Sequence, residues 1–526
     1  MLNTADEWRI GGSNAHGFCV WPADTTVAGE PAMTGWPANP VIYEVNTAVW
    51  LTSLSQAAGR RLTLAEVAAP DWEAITPAGV DAVWLMGVWQ RSPAGLAVTR
   101  ADAKAMASFG DLLPDLAPED VIGSPYCVRS YVADPMFGGP DGLAVARAAL
   151  AARGVRLLLD YVPNHVAMDH PWVTSMPQAF VRGDEHDIAT DPAAWAAIGG
   201  QVLAHGRDPY FPPWTDVVQL NAFSSDLRRA AAETVAGIAG QCDGLRCDMA
   251  MLMINRIFRQ TWGDRAGPEP AGEFWPGLIG EVRGRHPDTL FVAEAYWDLE
   301  FELQQQGFDF CYDKRLYDRI TGQDAPGVRD HLGADLSYQS RLIRFLENHD
   351  EPRIAASIPA DAGRAAAVAI ATLPGATLWH EGQFEGRHVR PPVFLSRRPD
   401  EPPDRELADW YRWLLAIVSG GVRSGTWRLL GATGWPDNQS YRNLLAWSWD
   451  GDGSGHRHVV VINFSGQPAQ GRVPLQWPGL PGQNWRLTDL FAGEVFERDG
   501  GELADPGLFV ALGPWQFHLL DLPCSA

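Results

Sequence analysis

The sequence predicts an α/β protein, with repeating strand–helix units over residues 41–418 and an all-β domain after them. Three observations carry this reading. From Val41 on, short apolar runs alternate with amphipathic helical stretches as far as residue 418. Over residues 166–220 the alternation gives way to Pro, Gly, Asp and aromatic residues with no clean period. After residue 419 helical periodicity ends and strand-like runs remain. Repeated units of this kind close into a (β/α)8 barrel or spread into a doubly wound open sheet, and periodicity does not choose between them.

Residues 1–40 carry scattered Gly, Pro and Trp and read as an N-terminal extension. The apolar runs then fall at 41–50, 82–89, 155–162, 244–250, 290–296, 342–346 and 376–379. Each is short and bounded by Gly, Pro or Asp, as expected of strands buried on both faces of a parallel sheet. Between them, residues 140–153 place Leu143, Ala146 and Leu150 at helical spacing, with Pro140 in the first turn and Gly154 as a stop. Residues 226–239 form a second helix, capped by Ser224 or Ser225, with Leu227, Val235 and Ile238 on its buried face. A break as long as 166–220 is expected to be a lid, a binding loop or an inserted domain. The catalytic region is thus assigned to 41–165 and 221–418, the insert to 166–220. Residues 419–526 form a C-terminal antiparallel β-sandwich, with runs at 444–449, 458–464, 485–490, 507–512 and 517–520.

The chain has 526 residues and a formal net charge of −23, from 41 basic and 64 acidic side chains. This excess repels phosphate backbones and anionic lipid, so neither nucleic acid nor membrane is an expected partner. Lys104 and Lys314 are the only lysines, and no G-x-x-x-x-G-K-[ST] phosphate loop exists. The cysteines at 19, 127, 242, 247, 311 and 524 form no C-x-x-C pair, which fits a reducing compartment. Residues 1–8 lack a basic segment leading into an apolar one, and no stretch reaches 18 apolar residues. A cytoplasmic location is the resulting expectation.

Four of the apolar runs lead into ionisable residues: Asp160 with His165, Arg246 with Asp248, Glu294, and His349 with Asp350. On a strand of period two, Arg246 and Asp248 share a side. One such residue reads as a satisfied ion pair or a strand-end cap. Four strands doing so at the same end point to a pocket, because barrel strands gather their C-terminal ends on one rim.

These stretches resemble the four short conserved regions of the α-amylase superfamily, glycoside hydrolase family 13, in the right order. Asp160-Tyr161-Val162-Pro163-Asn164-His165 fits D-x-V-x-N-H, and Gly244-Leu245-Arg246-Cys247-Asp248 fits G-x-R-x-D. Glu294 precedes Trp297 as in E-x-x-W, and Phe345-Leu346-Glu347-Asn348-His349-Asp350 fits F-x-x-N-H-D. Ser124-Pro125-Tyr126 resembles the family's S-P-Y stretch. The resemblance implies a (β/α)8 TIM barrel with a domain inserted after the third strand. It also implies Asp248 as nucleophile, held ionised by Arg246, and Glu294 as general acid and then base in a retaining mechanism. Asp350, His165 and His349 would bind the sugar, Asp160 would steady the rim, Tyr126 would stack on the ring, and Trp297 is the best further stacking candidate.

Where many family members carry Lys-His after the nucleophile, this chain has Met251 and Leu252; after Tyr126 it has Cys127-Val128, where many have Asp. Residues 380–387 also differ from common members, and His380-Glu381 does not complete H-E-x-x-H, so this stretch reads as the eighth strand end and its loop. Asn164 alone does not make a calcium site that needs six to eight oxygens, so no metal and no cofactor are expected. The expected function is a retaining α-glycosidase acting on α-linked oligosaccharides or small glucosides. The alternatives are a transglycosylase using the same intermediate and a non-catalytic sugar- or partner-binding barrel.

Overall fold

The computed structural model describes residues 35–451 and 455–523; most of the expected N-terminal extension lies outside them. Eight parallel strands close into a barrel: β1 (Val41–Asn46), β2 (Ala82–Met86), β3 (Arg156–Tyr161), β4 (Gly244–Cys247), β5 (Leu290–Ala293), β6 (Phe310–Tyr312), β7 (Leu342–Arg344) and β8 (Ala376–His380). Closure is direct, since β1 pairs with β2 through Ile42↔Ala82 and with β8 through Val41↔Thr377. The ring resolves the choice left open by periodicity. It also contains β6, which forms no recognisable apolar run. That strand is three residues long, and Asp309 precedes it, held by Arg283 at 2.6 Å and by the amide of Phe291 at 2.7 Å.

The helices form where spacing and caps direct them. Leu143, Ala146 and Leu150 are buried on Gly139–Ala151, and Gly154 takes the left-handed φ of 72° that ends the segment. Ser224 caps Ser225–Ala239, its side chain accepting from Leu227 N–H at 3.3 Å.

The aperiodic stretch after β3 holds a four-stranded antiparallel sheet, made of His165–Ala167, Trp195–Ile198, Gln201–Gly206 and Trp214–Gln219. Its hairpin turns through Gly199 and Gly200, whose φ of 59° and 77° suit a two-residue turn that bulkier residues resist.

After the barrel, a six-stranded antiparallel sheet faces a two-stranded one, Ala469–Val473 with Leu508–Leu512. Alternation divides the larger sheet. Leu444, Ala446, Val459 and Val461 face the small sheet, whereas Leu445, Trp447, Val460 and Ile462 join the barrel's core. The Trp447 and Trp449 indole N–H groups donate to the side chain and carbonyl of Thr372 at 3.2 and 2.8 Å, tying that face to helix Ala360–Thr372. Among the described residues no helix is long and apolar enough to cross a membrane. Cys127, Cys242, Cys247 and Cys311 are buried free thiols.

Candidate active site

Strand register places the principal carboxylates. Arg246 on β4 lies level with Asp160 on β3 and Val292 on β5, and Cys247 is level with Ala293. Asp248 and Glu294 are therefore the next rung of neighbouring strands. The ladder continues into them, with Asp248 N–H donating to Tyr161 O at 2.9 Å and Glu294 N–H to Cys247 O at 3.0 Å.

One guanidinium holds both. Arg246, 1% exposed, donates to Asp248 Oδ1 at 2.7 Å and ion-pairs with Glu294 Oε2 at 2.8 Å. Asp160 Oδ1 lies 3.9 Å from the guanidinium, and the rings of Trp84, Tyr126 and Tyr312 surround it at 5.2–5.8 Å. Met249 adopts a left-handed φ of 41°, rare for a residue with a side chain, and its N–H donates to Glu294 Oε2 at 2.6 Å. Tyr296 O–H donates to Glu294 Oε1 at 2.9 Å.

Burial pushes the Glu294 carboxyl up to about 7 against the pull of Arg246. Asp248 differs in balance from the sequence expectation. Arg246 lies against it as anticipated, yet burial outweighs the guanidinium and Asp248 also sits above the usual carboxylate range.

A second group lies beyond them. His349 Nδ1 is 2.5 Å from Glu44 Oε1, and its Nε2 is 2.8 Å from Asp350 Oδ2 and 2.7 Å from the Tyr126 hydroxyl. Burial opposes a charge on His349, but Asp350 and Glu44 on either side hold its pKa up to about 10. Burial likewise acts to raise Asp350, and the adjacent imidazolium keeps it well below the usual range. The Asp350 side chain is 48% exposed, toward the cavity, whereas Glu44 is fully buried.

A cavity of about 500 Å³ opens over these groups, lined by Tyr126, His165, Asp248, Met249, Glu294 and Asp350 among others. Of the other residues the sequence singled out, Arg246 and His349 stand directly behind this wall. Asp160 braces it, its Oδ2 accepting from Gly87 N–H at 2.9 Å. His165 opens the first strand of the insert with its ring 5.0 Å from Trp214, and burial lowers its pKa to about 4, so it is neutral. Trp297 is not part of the cavity wall; its left-handed backbone, φ 62°, sets the ring against Tyr210 at 4.8 Å.

Sequence reasoning passed over Glu44, Met249, Trp214, Tyr312 and Phe394. Glu44 carried a signal, since it is a lone charge within the apolar Val41–Asn46. The others look like ordinary apolar or aromatic residues, and only their placement gives them a role. Met251 and Leu252, at the positions that depart from the family pattern, are buried in the core and form no part of the cavity wall. His380 ends β8 and lies in a buried group with Arg353 and Glu347, at 2.8 and 3.3 Å.

The Asn164 side chain pairs with Gln219. Its Oδ1 accepts from Gln219 Nε2 at 2.8 Å and its amide donates back to Gln219 Oε1 at 3.2 Å. Among the described residues no three His, Cys, Asp or Glu side chains are grouped to hold a metal.

No family model matches the sequence. Among curated proteins, α-amylase MalA of Haloarcula japonica is 25% identical over 365 residues, which is 68% of this chain and 45% of that protein. An α-1,4-glucan:maltose-1-phosphate maltosyltransferase of Burkholderia pseudomallei is 30% identical over 208 residues, 37% of this chain and 15% of that protein. The chain thus spans less than half the length of both. Of solved structures, a maltogenic α-amylase from Thermotoga neapolitana superposes with a TM-score of 0.64 at 17% identity, covering 93% of this chain and 99% of that one. An α-amylase from H. orenii gives 0.65 at 17% identity, covering 93% and 100%.

Proposed function

We propose that the chain, which belongs to the α-amylase superfamily, is a retaining α-glycosidase that cleaves α-glucosidic bonds in oligosaccharides or small glucosides. One observation carries the proposal: Asp248 and Glu294 stand on one rung of adjacent strands, bridged by Arg246, at the floor of the cavity. Same-rung residues of neighbouring strands are separated by about 4.8 Å. That agrees with the roughly 5–5.5 Å between carboxyl groups of a retaining pair, rather than the wider gap that admits a water in inverting enzymes.

In the first step an Asp248 oxygen bonds to the anomeric carbon as the glycosidic C–O bond breaks, and protonated Glu294 gives its proton to the leaving oxygen. In the second, Glu294 takes a proton from water, the water oxygen bonds to the anomeric carbon, and Asp248 departs as carboxylate. Burial suits Glu294 to this double task by bringing its pKa to about 7. Asp350, ionised beside His349, would grip sugar hydroxyls, with Tyr126 against the ring and neutral His165 as a further hydrogen-bonding partner. These steps use side chains of this chain alone and call for no cofactor. The free thiols at Cys127, Cys242, Cys247 and Cys311 favour a cytoplasmic setting.

Transfer to a sugar hydroxyl in place of water is the second reading, favoured by the similarity to maltosyltransferases. Incubation with maltooligosaccharides separates the two, because transfer yields products longer than the substrate and hydrolysis only shorter ones. Proton NMR of the first product should show the α anomer. Asp248→Asn and Glu294→Gln should each lower turnover by about 10²-fold or more. Near-normal turnover in either would remove the role assigned to that residue, and sugar binding without turnover by the unsubstituted chain would favour a sugar-binding barrel.

A further inference from the structure

Around the barrel mouth, Glu294 follows β5, directly across the ring from β1. The segments that follow β8 and β2 flank β1 on its two sides. They form the end of the cavity opposite Glu294: Val98, Thr99, Ala105 and Phe109 from the helices Pro93–Ala101 and Ala103–Leu112, with the exposed Asp102 and Lys104 at their junction, and Val393 and Phe394 from the segment after β8. An acid protonates the leaving oxygen, so the leaving half of the substrate lies on the Glu294 side. The opposite end holds the half that becomes bonded to Asp248.

That end is sealed. Ile122 N–H donates to Phe394 O at 2.9 Å and Ser396 N–H to Asp120 O at 2.8 Å, with Val121 and Leu395 bridged between them. Arg397 clamps the same seam, donating to both oxygens of Asp120 at 2.8 and 2.9 Å and to Asp115 at 2.9 Å. Under the seam Phe109, Leu113, Val121 and Leu395 form a small core of their own, and the Phe109 and Phe394 rings sit 6.1 Å apart at the cavity. The flank is closed as well: Cys127 Sγ–H donates to Asp216 O at 3.1 Å, and Gly95 lets the first helix approach Cys127 where a Cβ would overlap its sulfur.

We propose that this seam makes the glycone end a closed pocket, so that the enzyme acts from the non-reducing terminus of a short α-linked oligosaccharide and not within a longer chain. A glucan threading past Asp350 would have to pass through a hydrogen-bonded, ion-paired and apolar wall. The cavity's size agrees, since about 500 Å³ lies within the range of small-ligand pockets. The inference rests on the α-glycosidase reading and specifies its substrate class.

The test compares 4-nitrophenyl maltopentaoside with the same compound whose non-reducing 4- and 6-hydroxyls are tied in an ethylidene acetal, with products followed by chromatography. The expected result is cleavage of the open compound and a rate on the blocked one lower by about a hundredfold. Equal cleavage of both would overturn the closed pocket and leave the glycosidase reading standing. Cleavage of neither would overturn the glycosidase reading on linear α-glucans, and the pocket assignment with it. Arg397→Ala, which loosens the seam away from the catalytic groups, should raise the blocked-to-open ratio about tenfold. Phe394→Ala, which lowers the wall from inside, should do the same. An unchanged ratio in both folded variants would show that the seam does not set the mode of action.

Discussion

At Glu294, three donors converge on one carboxyl group: the Met249 amide, the Tyr296 hydroxyl and Arg246. Each favours the ionised form and burial favours the neutral one, leaving a pKa of about 7. The proposed first step needs this proton and an ionised Asp248. As a pH–rate profile will read, kcat/KM should therefore fall roughly tenfold per unit above about pH 7, and fall again on the acidic side as Asp248, itself raised by burial, takes up a proton. The folded state binds the Glu294 proton more tightly than the unfolded chain near 4.5, so between those values the group lowers stability as pH rises. Tyr296→Phe removes one donor to the charged form and should move the alkaline limb upward; a downward move would contradict the hydrogen bond. Glu44→Gln keeps the shape of its partner but withdraws a charge from His349. The His349 pKa should then drop from about 10, and kcat/KM should fall about tenfold as the site loses roughly 1.4 kcal/mol of electrostatic support. NMR titration of the His349 ring checks the first effect and steady-state kinetics the second.

At the level of elements, legibility follows local physics. The helix Ser225–Ala239 was readable because a cap and an apolar face are both local signals, and Ser224→Ala should cost about 1 kcal/mol in chemical denaturation. Seven barrel strands were readable as apolar runs. β6 was not, because three residues flanked by the paired Asp309 leave no run to see. The insert's strands were equally hidden. They are short and partly exposed, Trp195–Ile198 along its whole length and Trp214–Gln219 at its start, so their residues need not be continuously apolar. Trp297 illustrates the opposite failure. Its neighbourhood in the chain suggested a sugar platform, but two successive left-handed residues, Trp297 and Asp298, turn the ring to Tyr210.

Across the whole molecule, barrel and C-terminal sheet share one core. Trp447 is fully buried between the sheet and helix Ala360–Thr372, and its neighbours Leu445, Val460 and Ile462 belong to the barrel's cluster. Trp447→Ala should therefore cost about 3–5 kcal/mol and lower the unfolding transition of the barrel along with that of the sheet. Calorimetry showing a barrel transition unmoved by the substitution would mean that the two regions unfold independently.

The chain's letters were enough for the strand–helix alternation, the break after the third strand, the all-β end and the charged residues on which the proposed chemistry rests. Those are consequences of period and composition, which act over a few neighbouring residues. Only the closed fold decided that Asp248 and Glu294 share a rung, that Met249 and Tyr296 hold the acid, that Glu44 charges His349, and that segments after β2 and β8 meet in a seam. Each of these joins residues that closure of the barrel, or a single left-handed backbone turn, brings within hydrogen-bond distance. Separation along the chain carries no trace of that distance, which is set by register and packing in three dimensions.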